Sequence, residues 1–376
     1  MPRFTLLLLL LAGGAAACTT DDDALAKRSR PASGGSGGTH GGGSGGGGAD
    51  ATAGVAGAAG GEPGDASDAG DASSTDAPLP VGPGKLTIVH GVADASELAF
   101  CFERVSGAVA TPLGSVQPTS ALGYAHAFVF ETPAGFDATQ DSLRPIVLAG
   151  NLSSAFGKSC AEAIASAEPQ QDLDAGDAAS DAGPGLVSVA LPVLPAGTLY
   201  SGRDLLLVAA GCLGGPTHTD PSEQCVCGAD YRPDRPTLTA LLAASARASV
   251  AGKVALQVMN GSPLSESVDF VAAPPAPELP TTLVSDVVAG AIAPEAPLTT
   301  RSAADFFASS QDSQIEINLG GSPVVRVPVP TALAQGGLSA LENGRSYAFV
   351  LVGPRAAYSG ANWWQAPSVT VVSTSQ

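Results

Sequence analysis

The chain has 376 residues, 35 of them acidic and 17 basic, for a formal charge of -18 at neutral pH. A surface of that sign repels phosphate backbones and excludes nucleic acid as a partner. The length allows two domains of ordinary size once roughly the first eighty residues, which read as export signal and spacer, are set aside.

The chain opens MPRFTLLLLLLAGGAAACTTDDD: Arg3, an apolar run from Leu6 to Leu11, small residues to Ala17, then Cys18. Residues 1–17 form a secretory signal, too short to persist as a spanning helix. Small residues ending at a cysteine resemble the lipobox of bacterial lipoproteins, with Ala15 in place of the usual leucine. The resemblance implies that Cys18 becomes the acylated first residue and holds the chain to a membrane through several acyl chains. Residues 15–17 also satisfy the A-x-A pattern of ordinary secretion, which would leave Cys18 a thiol. Thr19 follows the cysteine, where an inner-membrane retention signal carries Asp, so attachment to the outer membrane is expected, on its periplasmic or its outer side.

Residues 18–84 are dominated by Gly, Ala, Ser and Asp, with almost no large apolar side chain. Such a stretch buries too little surface to offset its ordering entropy and reads as a disordered tether, with a root-mean-square span on the order of 45 Å. A similar acidic tract, 169–185, reads as a loop insertion in the folded part.

The folded part contains an internal repeat. LTIVHGVADASELAF (86–100) aligns without gaps with LQVMNGSPLSESVDF (256–270), and SGRDLLLVAAG (201–211) aligns with NGRSYAFVLVG (343–353). Each opening reads strand, turn, strand, and each close reads turn, strand. Further short apolar or alternating runs stand at 125–130, 144–150, 186–193, 314–321, 324–329 and 369–373. The pattern predicts an all-β protein of two tandem Ig-like β-sandwiches, at 85–213 and 253–376. Between them, 214–252 is expected to hold a cysteine loop and a helical connector, with Leu238, Leu241 and Leu242 on one helix face.

The openings also resemble a bacterial family of extracytoplasmic domains of unknown function whose repeats begin V-[HN]-A-S-P-D-A-P-x-V-D-V. Val89, His90, Asp94 and Ala95 fall on that pattern in the first copy, and Asn260, Ser262, Pro263, Val268 and Asp269 in the second. The resemblance implies tandem sandwiches and brings no catalytic residue.

Few constellations suggest chemistry. IVLAGNLSSAFGKSCAEA (146–163) has the order of a phosphate-binding loop but carries Leu152 where that loop needs glycine, so no nucleotide is expected. Four histidines (His40, His90, His126, His218) and no G-x-S-x-G elbow leave no triad to assign, and neither an enzyme nor a cofactor is expected. The exported cysteines Cys101, Cys160, Cys212, Cys225 and Cys227 are disulfide candidates: Cys101 with Cys160, and Cys212 with Cys225 or Cys227. The alternative for Cys212, His218, Cys225 and Cys227 is a four-ligand metal site, or an envelope enzyme built on that loop. Trp363 and Trp364 pair a core ring with an outward one, or offer an aromatic platform for a sugar or a protein. The expected role is adhesion, recognition or scaffolding in the cell envelope, with a membrane, an envelope protein or a polysaccharide as partner.

Overall fold

The inner strands of the fold come from apolar runs broken by few polar residues. LTIVHGV forms β1 (Leu86–Val92) and DLLLVAAG forms β8 (Asp204–Gly211), and every residue of both strands is buried. The two pair in parallel with Ile88 opposite Leu207. Parallel strands covered on both faces lose the apolar–polar alternation of half-exposed strands. In the computed structural model the described residues are 84–169, 185–200, 202–214, 224–227, 236–263, 265–275, 278–295, 297–303, 313–354 and 365–374. The signal, Cys18, the tether, most of the 169–185 insertion, His218, the Cys225 side chain, Trp363 and Trp364 lie outside them.

The first sandwich is completed by β2 (Glu97–Ser106), β3 (Val109–Gly123), β4 (Ala127–Val129), β5 (Ser142–Gly150), β6 (Glu168–Pro169), β7 (Leu186–Ala190) and β9 (Thr239–Ser245). Its inner sheet runs β4-β1-β8-β9 and its outer sheet β3-β2-β5-β7-β6. Leu86, Ile88, Leu205 and Leu207 meet Leu98, Phe100, Phe102 and Val147 in the core between them. On the far side of the outer sheet lies α1 (Cys160–Ser166), with Cys160 and Ala163 packed on Ala99 and Leu148.

The second sandwich repeats the plan. Its strands are β10 (Val254–Asn260), β11 (Val268–Ala273), β12 (Thr281–Val287), β13 (Ile292–Ala293), β14 (Thr299–Arg301), β15 (Gln314–Leu319), β16 (Ser322–Pro328), β17 (Ser346–Val352) and β18 (Ser368–Ser373). The inner sheet runs β13-β10-β17-β18, and the outer sheet runs β12-β11-β15-β16. The register repeats as well as the order. Ile88 pairs with Leu207 where Val258 pairs with Phe349, and Phe100 pairs with Val147 where Phe270 pairs with Ile317. The tandem β-sandwich fold expected from the repeat is thus the fold observed.

The two inner sheets stack on each other. Val89, Leu206, Val208 and Ala210 of the first meet Met259, Ala348, Val350 and Val372 of the second in a separate apolar layer. Alternate residues of β8 and β17 therefore serve two cores: Phe349 and Leu351 turn into their own sandwich, and Ala348 and Val350 toward the other. The repeat glycines fit this approach. A Cβ on Gly91 would lie 3.0 Å from Val208 and 3.3 Å from Val352, and one on Gly261 would lie 2.6 Å from the Leu351 carbonyl and 2.9 Å from Val208.

The connector departs from expectation. The stretch expected to be helical holds strand β9, antiparallel to β8 with Leu241 opposite Val208. Leu241 and Ala243 face the layer between the sandwiches, while Leu238, Ala240, Leu242 and Ala244 face the first core. A strand apolar on both faces also satisfies a three-and-four spacing of leucines, so periodicity did not separate the two forms. The inner sheet of the first sandwich thus reaches Ser245, well past residue 213. The chain then crosses on a row of bonds: Ala246 N–H donates to Gln257, Arg247 pairs with Asp204, Ala248 N–H donates to the Ser346 hydroxyl, and the Ser249 hydroxyl donates to the Gly344 carbonyl.

Gly261→Ala is expected to lower stability by about 1–3 kcal/mol, because the added methyl meets backbone that cannot move independently. Chemical denaturation of the purified protein checks this, and an unchanged midpoint would contradict the close approach of the sheets.

Candidate functional site: the turn cluster where the parallel strands end

β1 and β8 run parallel, so their C-terminal ends emerge at one end of the sandwich, as do those of β10 and β17. The Gln365 N–H donates to the Ala93 carbonyl, and the Tyr124 hydroxyl donates to the carbonyls of Ala366 (2.8 Å) and Val352 (3.3 Å). These bonds bring the turns of both copies together. Of the residues that the sequence offers for chemistry, His90, Asp94, Cys212 and Cys227 stand here.

His90 lies in β1 and is fully buried. The Val92 N–H donates to its Nδ1 at 3.2 Å, so the neutral ring carries its proton on Nε2. Nε2 has no partner in bonding geometry, and the ring meets Tyr124 edge-on with centroids 5.6 Å apart. Burial pushes the pKa down to about 3, with the His126 charge acting the same way and the Ala95 carbonyl against it. In the second copy Asn260 performs the same service: its Oδ1 accepts from the Ser262 N–H (3.2 Å), and its Nδ2 donates to the carbonyls of Val287 (3.0 Å) and Glu266 (3.3 Å). Both side chains end a strand by accepting from the N–H two residues on, in the manner of an Asx turn.

Asp94 is also engaged by backbone. One carboxylate oxygen accepts from the Leu213 N–H and the other from the Gly214 N–H, both at 2.8 Å, which holds the segment after β8 against the turn after β1. Beside it Cys212 and Cys227 form a disulfide, with Cα atoms 5.5 Å apart, packed on Ala93 and Val226. Cys227 ends a single helical turn, α2 (Gln224–Cys227). A disulfide sulfur is not a thiolate ligand, so the four-residue metal site proposed for Cys212, His218, Cys225 and Cys227 loses two of its members in this state. Tyr124 is the residue that sequence reasoning missed. It sits in the turn after β3, and burial holds its phenol well above the usual range. Gly353, at φ +103°, leaves room for it, since a Cβ there would lie 2.0 Å from the hydroxyl.

Away from this end, Cys101 and Cys160 form the other expected disulfide, joining β2 to α1. The Gly157-Lys158-Ser159 segment that imitates a phosphate loop is the entry to α1. The Ser159 hydroxyl accepts from the Glu162 N–H, and Glu162 accepts from the Ser159 N–H (2.9 Å), a capping box. Among the described residues no three His, Cys, Asp or Glu side chains gather as a metal site.

No protein-family description and no curated protein matches the chain. Fourteen solved chains are similar to it, the following two among them. One is the tip fimbrial protein Mfa3 from Porphyromonas gingivalis with a C-terminal truncation, 12% identical over 78% of this chain and 99% of that chain, with a TM-score of 0.21. The other is a candidate cell adhesion protein from Parabacteroides distasonis, 14% identical over 79% of this chain and 98% of that chain, with a TM-score of 0.18. At such TM-scores the likeness carries no argument about what this chain does.

The His90 geometry has a pH signature. The unfolded chain binds a proton near pH 6.5 that the folded ring refuses, so stability is full above that pH and falls as the pH drops toward about 3. This group contributes a loss of up to about 1.4 kcal/mol per pH unit. His90→Asn is expected to keep the fold and flatten that dependence. Urea midpoints between pH 7.5 and 4.5 check it, and identical slopes for both proteins would refute it. Replacing Cys212 and Cys227 together by Ser is expected to cost about 3 kcal/mol by freeing a loop of about 15 residues, read from the denaturation midpoint.

Proposed function

We propose that this chain is a non-catalytic lipoprotein of the cell envelope. Acylated Cys18 holds it to the outer membrane, the Gly/Ala/Asp-rich tether sets the two sandwiches off from the bilayer, and the folded body acts in adhesion, recognition or scaffolding. The openings of its repeats resemble those of an extracytoplasmic domain family of unknown function, which supports the reading. Its partners are an envelope protein or a polysaccharide.

One observation carries the non-catalytic part of the reading. Among the described residues near the turns, three groups are taken up by the fold: His90 ends a strand, Asp94 holds two backbone N–H groups, and Cys212 and Cys227 are joined. A general base needs a pKa near the working pH, and a neutral His90 at about 3 is far from it. Among the described residues no helix is long and apolar enough to cross a membrane, and the anchoring reading rests on the Cys18 motif alone.

Intact mass of the mature protein, taken from the producing cell with and without reduction, tests the anchor. The expected product begins at an acylated Cys18 and changes mass on reduction. An unmodified N-terminus at that residue would overturn it. Retention of envelope polysaccharide or protein by the immobilised mature chain tests the role, and retention of neither would count against recognition.

A further inference from the structure

The end of the first sandwich opposite the turn cluster, where β1 and β8 begin, contains a cleft of about 490 Å³. Small-molecule sites fall between about 300 and 1,000 Å³. Phe130, Phe136 and Leu199 supply its apolar wall, and Thr132, Asp137 and Tyr200 its polar edge. The walls are fixed. The Gly84 N–H donates to the Leu199 carbonyl (2.8 Å), the Phe130 N–H to the Leu86 carbonyl (2.9 Å) and the Gly197 N–H to the Ala138 carbonyl (3.0 Å). The Phe130 ring packs on Phe102 with centroids 4.4 Å apart.

The loop 131–141 is shaped by its own carboxylates. Asp137 Oδ1 accepts from the Thr139 N–H (2.9 Å) and hydroxyl (2.6 Å), and Asp141 Oδ2 accepts from the Asp137 N–H (2.8 Å). The bonds from Thr139 hold the Asp137 carboxyl below its usual range, so it is ionised at neutral pH. The exposed carboxylate, which the Gln140 N–H also favours, keeps further acceptor capacity on Oδ2. The Thr132 and Tyr200 hydroxyls, which both donate and accept, are taken up by no neighbour among the described residues.

We propose that this cleft binds a neutral saccharide ring. A pyranose offers an apolar C–H face to the Phe136 side and hydroxyls that donate to Asp137 Oδ2 and exchange bonds with Thr132 and Tyr200. An ammonium or guanidinium donates only, which uses the carboxylate but leaves the two hydroxyl protons unmatched. An anionic ligand meets Asp137 and a chain of formal charge -18. The assignment rests on the recognition reading and names its ligand class.

Saturation-transfer NMR on the mature full chain tests it, using the methyl glycosides of glucose, galactose, mannose and N-acetylglucosamine, with arginine methyl ester as a cationic probe. At least one glycoside is expected to receive saturation, and Phe136→Ala and Asp137→Asn are each expected to weaken its binding tenfold or more. Thermal melts of both variants confirm that they remain folded, and Tyr200→Phe gives a third reading with little change of shape. No glycoside signal, a signal indifferent to all three substitutions, or displacement of the glycoside by the arginine ester overturns the proposal. If the variants still retain an envelope partner as well as the parent protein does, the cleft is not the contact and recognition lies elsewhere on the molecule. If the parent retains no partner, the recognition reading falls, while the glycoside titration still decides the cleft.

Discussion

Burial on both faces of two parallel strand pairs governs this molecule. β1 with β8 and β10 with β17 each serve a sandwich core on one side and a shared layer on the other. A strand in that setting has no solvent side, so its residues must all be apolar, small or internally bonded. The few polar exceptions follow from it. Asp204 lies almost fully buried at the start of β8, and it is satisfied by the Lys85 N–H and by a two-pronged contact from Arg247. Gln257, in the middle of β10, accepts from the Ala246 N–H and donates to the Pro294 carbonyl. Each of these also pins the chain where it crosses from one sandwich to the other.

The repeat made much of this fold readable. Glycine, Leu or Val, and Phe recurred at fixed spacing because they occupy equivalent registers, and the register is what the structure reproduces. What stayed hidden had a physical cause in each case. β9 hid behind leucine spacing that suits a helix as well as a half-buried strand with apolar residues on both faces. β3, an edge strand of 15 residues, alternates too weakly to announce itself, with only three buried residues along its length. Stacking of the inner sheets was signalled by apolar runs with no polar alternation, yet such runs are equally compatible with a single deep core.

The candidate residues were legible as types and not as roles. His90 is a residue type common in catalysis, yet the second copy places Asn260 at the same register, with the same bond to the N–H two residues on. Histidine and asparagine share an acceptor at that reach and little else, so the shared feature is the turn. Tyr124 carried no signal in sequence because its partners, Val352 and Ala366, lie more than two hundred residues away in the chain. The Phe136 cleft was equally invisible, since its walls come from segments near residues 84, 130 and 199.

β1 begins just after Gly84 and is flanked on both sides, by β4 and by β8. A pull on the chain ahead of Gly84 therefore runs along the axis of a central strand. Its hydrogen bonds to both neighbours share the load together, where an edge hairpin would open one bond at a time. The first strand is thus arranged as a mechanical anchor, and a body attached to a moving surface through its N-terminal side would meet tension at one of the strongest points of its fold.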